Sequence, residues 1–551
     1  MEHLLEEERY HLPFLLVFSL LLTLSFLGGR DLWAPVEPRY GEIARVMFSR
    51  GEWIVPTVNG DLYTDKPILY FWLVVAFSHL IGGVTEWTLR LPSALSSIGL
   101  VIVSYRLGRD FFDHRVGLLA ALVLSTTARF VWEARWAHTD MLFTFFFTTS
   151  TYILLRAWHD RGGSAMSAYG LMGLATLTKG LIGFVLPGLI FLCLLLMRGD
   201  SQSIRRLRLW PGLGVFLLVA APWFVAVSLQ TEGQWINDFF WTHHIQRYLS
   251  GLGHRRPFYY YLINFPADFL PWTPFLVLAA FAAWPIRRVP LSPAALSLAT
   301  WFFVIFVFFS LSDTKRALYL LPLYPPAAIF LGHALVGSNF ESNKGEGLRL
   351  RALTTVAGLC FGMLGVTALS LPFVVYWIRP DMLLGSIALA PVIAFGSLFA
   401  YQAFKKNLLF SGSVWLAAIV LGGVLVSSLW VFPVINQYKS PRIFAKEVKQ
   451  RVSQADPLFI YADRMNDFNY YLEREMIPVL SRPEDLARLE TQGGPIYLLI
   501  RDRDVRRVLP SESSQWELVI ERSTGRKKWK LMKLRVAPQK TTRDFPPFMI
   551  G

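Results

Sequence analysis

Between Asp31 and Lys66 the sequence gathers Asp31, Glu37, Arg39, Glu42, Arg45, Asp61, Asp65 and Lys66. The chain as a whole is strongly apolar, with 54% hydrophobic and only 17% charged residues. Carboxylates and cations concentrated beside apolar runs suit a site that handles a charged lipid headgroup. Glu37, Arg39 and Glu42 adjoin the periodic run Ile43-Ala-Arg-Val-Met-Phe48, which predicts a helix beginning near them and lying along a membrane interface. A carboxylate steadied by Arg39 can serve as general base toward an acceptor hydroxyl or amine. Lys66, just ahead of Pro67, offers a single positive charge to a phosphate oxygen. A plain solvated loop would also carry such charges.

Four further clusters invite the same reading. In Trp132-Glu-Ala-Arg-Trp-Ala-His-Thr-Asp140, Asp140 stands between two apolar runs, where it or Thr139 could instead cap a helix from Met141. His138 in that turn reads as structural rather than as a metal ligand. Lys179, in Thr178-Lys-Gly180, is costly between apolar segments unless it snorkels to the interface or meets an anion. The stretch 230–268 interleaves cations with aromatics, in Trp241-Thr-His-His-Ile-Gln-Arg-Tyr248 and His254-Arg-Arg-Pro-Phe-Tyr-Tyr-Tyr261. That pattern fits a phosphate clasp with sugar stacking, or an aromatic belt at the membrane surface. His243 and His244 are adjacent, so on a helix they point apart and make a poor metal pair. Finally, Ser312-Asp-Thr-Lys-Arg316 places Lys315 and Arg316 at the end of an apolar run, where flanking charge is ordinary. Each signal alone is weak, and their weight comes from sharing one face.

The elements that would position these residues are membrane spans. Apolar runs recur from residue 11 to residue 436: 11–29, 91–108, 115–134, 141–157, 165–180, 182–198, 209–229, 270–286, 293–311, 317–337, 352–378, 383–404 and 409–435. They predict a polytopic α-helical protein of about 13 transmembrane helices. The aromatic run 67–82 is ambiguous, and its reading sets the sidedness of every later loop. Taken as interfacial, it leaves Arg106, Arg109, Arg115, Arg156, Arg161, Arg198, Arg205-Arg-Leu-Arg208, Arg287, Arg288, Lys344, Arg349, Arg351, Lys405 and Lys406 on one side, which is then cytoplasmic. The outer loops, numbered 30–90 and 230–268, share the other side with Asp140, Lys179, Lys315 and the C-terminal region. From residue 437 the composition becomes that of a soluble α/β domain, with β-rich runs at 457–462, 477–481, 495–501 and 516–522 between helix-compatible stretches. The expected domains are therefore 1–436 in the membrane and 437–551 outside it, the latter a lid or acceptor-docking module. The net charge of +15 follows from topology and implies no nucleic acid. Cys193 and Cys360 lie in apolar runs and suggest no disulfide framework. The run 11–29 reads as a retained span rather than a cleaved signal peptide.

Taken in order, these motifs resemble the GT-C glycosyltransferase superfamily, above all its bacterial branch of aminoarabinose transferases acting on lipid A, and more distantly the protein O-mannosyltransferases. The resemblance is carried by Glu37-Pro-Arg-Tyr40, Gly51-Glu-Trp-Ile-Val-Pro56, Asn59-Gly60, Asp65-Lys-Pro67, Thr139-Asp140, Thr178-Lys-Gly180, His244-Ile-Gln-Arg-Tyr248, Arg256-Pro-Phe-Tyr-Tyr260 and Lys315 through Pro326. It implies a GT-C-like membrane domain that moves a sugar from a polyprenyl-phosphate donor to a lipid (lipid A-like), glycan or protein acceptor at the outer face of a bacterial inner membrane. By resemblance, Glu37 and Asp140 would be catalytic, and Arg39, Lys66, Lys179, Arg247 and Arg255 would face the donor phosphate. Tyr63, Asp65, His243, Lys315 and Tyr319 would line the donor and acceptor cavity. One departure stands out. The family places an acidic pair before the Arg-Tyr, whereas here Val36 replaces the first acid. Either Glu37 substitutes for it, which is the expectation taken here, or Asp140 carries catalysis, or the acceptor is an ionised phosphate that needs no base. No cofactor or metal site is expected, and whether a divalent metal takes part is left open. The expected partners are the lipid-linked donor, the acceptor and membrane lipids, around a monomer. The rival reading, a transporter or flippase of lipid-linked sugar, predicts internal repeats and charges near the bilayer midplane. The sequence instead gathers its charges at one face.

Overall fold

The computed structural model describes residues 2–162, 164–199, 201–246, 255–283, 291–337, 346–463, 467–490, 495–509, 515–525 and 527–535. The chain divides into two compact units. The first holds residues up to Asp31, Ile43–Thr57 and Asp61–Ile435. The second combines Leu32–Glu42 and Val58–Gly60 with the residues from Asn436 on.

The first unit is all helical in its body, and each of the thirteen apolar runs read from the sequence carries helix. Among the described residues, 7 helices are long and apolar enough to cross a membrane, or up to 9 if each bent pair is one span. The expected thirteen is not reached on that measure. His11–Leu24, Ala165–Lys179 and Ile182–Arg198 are short, and Thr139–Trp158 is diluted by hydroxyl residues. The run 67–82 forms the helix Leu69–Ile81, with Leu69, Tyr70, Phe71, Val74, Val75 and Ser78 buried. Two spans are broken: His114–Thr126 bends by 69° into Ala128–Ala134, and Tyr260–Asp268 by 115° into Thr273–Phe281. The breaks meet, since Ala128 N–H donates to the Leu270 carbonyl at 2.8 Å and the Trp272 indole to Thr126 Oγ1 at 2.8 Å.

A buried arginine shapes the exit from the first helix. Arg90 is fully buried in Glu86–Phe111, and its guanidinium donates to the carbonyls of Leu27 (2.9 Å), Arg30 (2.6 Å) and Asp31 (2.9 Å). Arg135 does the same one step earlier, to Leu22 (2.9 Å), Thr23 (3.0 Å) and Ser25 (2.7 Å). Arg135 thus supplies donors to carbonyls that the end of the His11–Leu24 helix leaves open, and Arg90 to those of the turn that follows it.

The second unit is built on a mixed five-stranded sheet. Its order is Val479–Leu480, Leu458–Tyr461, Tyr497–Arg501, Lys527–Leu534, Trp516–Thr524, parallel among the first three and antiparallel thereafter. The central strands Leu458-Phe-Ile-Tyr461 and Tyr497-Leu-Leu-Ile-Arg501 are apolar on both faces, as strands covered on both sides must be. Leu458, Ile460, Tyr497, Leu499, Trp529 and Leu531 face one core, and Tyr461, Leu498, Ile500, Met532 and Leu534 the other. The strand Lys527–Leu534 is absent from the sequence reading because its lysines read as polar. In the sheet, Lys530 lies opposite Glu521 and bonds Asp502 at 2.8 Å and Glu521 at 3.3 Å.

Two pieces of the first polar loop belong to this unit. Leu32 N–H donates to the Tyr471 hydroxyl at 2.7 Å, and the Trp33 indole to Asn436 Oδ1 at 2.9 Å. Asn59 is the main anchor: Nδ2 donates to Ile477 O (3.1 Å), while Oδ1 accepts from Ile477 N–H (2.7 Å) and Asn469 Nδ2 (2.8 Å). Asn59→Ala leaves buried donors and an acceptor unpaired, so it is expected to lower the stability of this unit by about 2–4 kcal/mol. Limited proteolysis of the full-length protein, following the survival of the region from Asn436 on, reads this directly, and an unchanged half-life would discount the anchor.

Candidate active site

The residues that the sequence singled out fall into three groups in the first unit and one in the second. The first centres on Asp140. The helix Thr139–Trp158 begins at Thr139, and its N-cap, His138, makes no side-chain capping bond. Neither Thr139 nor Asp140 therefore stands at the cap, against the alternative reading of this turn. Its Oδ1 meets Lys179 Nζ and its Oδ2 faces His138 Nδ1. All three are buried, at 1%, 8% and 4% exposure. Lys179 ends the helix Ala165–Lys179, where Gly180 at φ +93° lets the chain turn away. A cation at a helix C-terminus and a carboxylate in a first turn both sit with the helix dipole. Lys179 Nζ also lies 4.8 Å from the Tyr319 ring centre and 5.2 Å from that of Phe143. His138, read from sequence as structural, is part of this centre. Its carbonyl accepts from Ser93 Oγ at 3.0 Å.

Tyr319 joins this group to the second. It follows Lys315 on the turn Ser312–Arg316, and Lys315 is 4% exposed. Lys315 Nζ donates to the carbonyls of Ser312 and of Arg256, the latter at 3.2 Å. Desolvation pulls its pKa below the ordinary lysine value, with Asp313 opposing. Exposed Arg255 is held against this turn by a backbone bridge to Thr314, and Tyr261 donates to Arg316 O at 3.1 Å.

The third group is Tyr63, Asp65 and Lys66. The Tyr63 hydroxyl donates to Asp65 at 3.4 Å, and Lys66 Nζ lies 3.5 Å from Asp65 Oδ1. The Trp235 indole donates to Tyr63 O at 2.9 Å and that of Trp223 to Ile54 O at 3.0 Å, which tethers this half of the loop to the span Leu209–Gln230 and the turn after it. Arg247 and the side chain of His243 lie outside the described residues.

Glu37 and Arg39 belong to the second unit. Glu37 is fully buried in the first turn of Val36–Arg50, and its Oε2 accepts from Trp33 N–H at 3.1 Å. The carboxylate thereby ties the loop residue Trp33, three positions ahead of the helix, to the helix's first turn. Arg39 is partly buried and interacts electrostatically with Asp467. No cluster of three or more His, Cys, Asp or Glu side chains able to hold a metal occurs among the described residues. Sequence reasoning missed Arg90, whose only signal was an arginine at the edge of an apolar run.

Residues 65–225 match the family described as dolichyl-phosphate-mannose-protein mannosyltransferase. The chain is 27% identical over 539 residues to the undecaprenyl phosphate-alpha-4-amino-4-deoxy-L-arabinose arabinosyl transferase of Shewanella sediminis, covering 91% of this chain and 95% of that one. It is 30% identical over 449 residues to the enzyme of the same name from Pectobacterium atrosepticum, covering 78% of each. Its fold matches the crystal structure of ArnT from Cupriavidus metallidurans bound to undecaprenyl phosphate, with TM-score 0.77, 24% identity, and 96% and 99% of the two chains covered. The archaeal oligosaccharyltransferase AglB from Archaeoglobus fulgidus shares the fold more loosely, at TM-score 0.52 and 11% identity over 91% of this chain and 70% of that one. The GT-C resemblance read from the motifs is borne out: the chain belongs to the undecaprenyl phosphate-aminoarabinose arabinosyl transferase family, and is an integral-membrane glycosyltransferase with a polyprenyl-phosphate-linked donor.

Proposed function

We propose that the enzyme moves 4-amino-4-deoxy-L-arabinose from its undecaprenyl-phosphate carrier to a phosphate of a lipid A-like glycolipid at the outer face of the inner membrane. The donor follows from the names of the relatives. The outer face is supported by the arginines of Arg205-Arg-Leu-Arg208 and their companions, which belong to the cytoplasmic side. The acceptor is supported by one observation: Glu37, beside Val36, is buried and engaged with the Trp33 N–H. A carboxylate so placed orders a loop rather than taking a proton. An acceptor phosphate is already ionised at neutral pH and needs none taken.

In this mechanism an acceptor phosphate oxygen attacks the anomeric carbon. The C1–O bond to the carrier breaks, and its electron pair leaves on undecaprenyl phosphate. One displacement gives inversion. The barrier lies in charge moving between two phosphates, so the main need is fixed cations. Lys179, held by Asp140, and Lys315 are the buried ones, while Lys66, Arg255 and Arg247 are the other candidates for phosphate contact. Asp140 with His138 fixes where the Lys179 charge sits, and Tyr63, Asp65, His243 and Tyr319 complete the cavity lining.

The test uses purified protein in lipid vesicles with radiolabelled undecaprenyl-phosphate aminoarabinose. Label is expected to move to phosphorylated lipid A and not to its dephosphorylated form. Glu37→Gln keeps an acceptor for the Trp33 N–H, so it should retain transfer within about threefold. A loss of about 100-fold or more, the scale of a missing general base, would return Glu37 to that role.

A further inference from the structure

Far along the chain from the catalytic motifs, the helices Glu346–Ile378 and Leu383–Lys405 form an antiparallel hairpin through the turn Pro380–Met382. Their open ends flank a shallow, solvent-open cavity of about 500 Å³ lined by Arg351, Thr354, Thr355, Gly358, Leu359, Tyr401 and Lys405. We propose that this cavity seats the headgroup phosphate of an anionic phospholipid, with an acyl chain lying along the Glu346–Ile378 helix.

Three features carry the assignment. The lining is of one sign: two cations and three hydroxyl groups, with no carboxylate among the described residues. The other end of the hairpin contrasts with it, because Arg379 is paired there with Asp381 at 2.9 Å and 3.1 Å. The cavity also has a built floor. A Cβ at Gly358 would stand 3.3 Å from the Tyr401 ring, so the glycine lets that ring lie close against the helix. Finally, an apolar track leaves the cavity. Leu359, Met363, Val366 and Phe373 recur at helical spacing and are exposed at 62%, 63%, 67% and 72%. From 359 to 373 the helix rises roughly 21 Å, enough for an acyl chain through one leaflet of a core about 30 Å thick. Setting topology requires only flanking cations. A cavity between helices with clustered hydroxyls, leading onto an apolar track, suits a bound lipid, and basic pockets between spans are a recurring way of holding anionic headgroups.

The experiment is native mass spectrometry of the full chain in detergent, titrated with phosphatidylglycerol and, separately, phosphatidylcholine. The wild-type protein is expected to prefer phosphatidylglycerol by roughly 10- to 30-fold, on the scale of one anionic-lipid contact per cation. Arg351→Gln/Lys405→Gln should bring the two lipids within about twofold. Thr355→Trp, which fills the cavity and keeps both charges, should do the same, while Arg379→Gln at the opposite end should leave the preference intact. All variants are first matched to wild type in melting temperature. An unchanged preference in both cavity variants, or equal retention of the two lipids by the wild type, overturns the assignment.

Discussion

Asp140→Asn is expected to reduce sugar transfer by about 100-fold or more, the scale of one misplaced electrostatic stabiliser. Asp140 is the shared partner of Lys179 and His138, all of them buried. Removing its charge leaves Lys179 without a counter-ion, and breaking a buried pair from one side typically costs about 3–5 kcal/mol of stability. Lost activity could then reflect lost protein, so the informative comparison is the double variant Asp140→Asn/Lys179→Met. With no charge left uncompensated, that protein should regain most of its melting temperature and still fail to transfer sugar. Initial rates with labelled donor and a thermal melt in detergent read the two effects separately. A single variant working at the wild-type rate would remove Asp140 from the reaction, and a double variant that transfers sugar would remove the pair.

The second large effect is structural. Arg90→Met deletes a guanidinium that serves the Leu27, Arg30 and Asp31 carbonyls from a fully buried position. Hydrogen bonds from a charged donor contribute about 1.5–3 kcal/mol each, and buried acceptors left without a donor add to the loss. A total of roughly 4 kcal/mol or more is expected, with the stretch after residue 27 becoming an early protease target. Arg90→Lys should recover only part of it, because an ammonium cannot reproduce the planar fork that spans three carbonyls. Limited proteolysis with N-terminal sequencing of the fragments measures this. A cleavage pattern identical to wild type for Arg90→Met would show that the carbonyls find other donors.

Much of the membrane domain could be read in advance because its signal is long and redundant. A run such as 293–311 has no alternative to being an apolar helix. The count of spans was less legible, because crossing capacity depends on length and on breaks such as that at Thr127, which hydrophobicity does not mark. Of the candidate site, the sequence placed Asp140 and Lys179 at span ends on one side. The structure adds that they touch each other and that His138 joins them, which is tertiary information that spacing along the chain does not carry. Glu37 illustrates the opposite case. The motif drew attention to it, while its burial and its bond to Trp33 N–H depend on how Leu32–Glu42 packs into the second unit. Arg90 went unvalued for a related reason. An arginine beside an apolar run looks like an anchor in the interface, and only the fold reveals that its donors turn inward to backbone carbonyls.

The two broken spans have a consequence for how the membrane domain can move. At Ala128 and Leu270 each interrupted helix lends the other a backbone partner, and Trp272 ties the same junction to Thr126. Neither kink can straighten alone without breaking the Ala128–Leu270 backbone bond that the two breaks share. The two interruptions are thus one junction rather than two independent kinks, and a change of angle in either helix works against the same shared bonds.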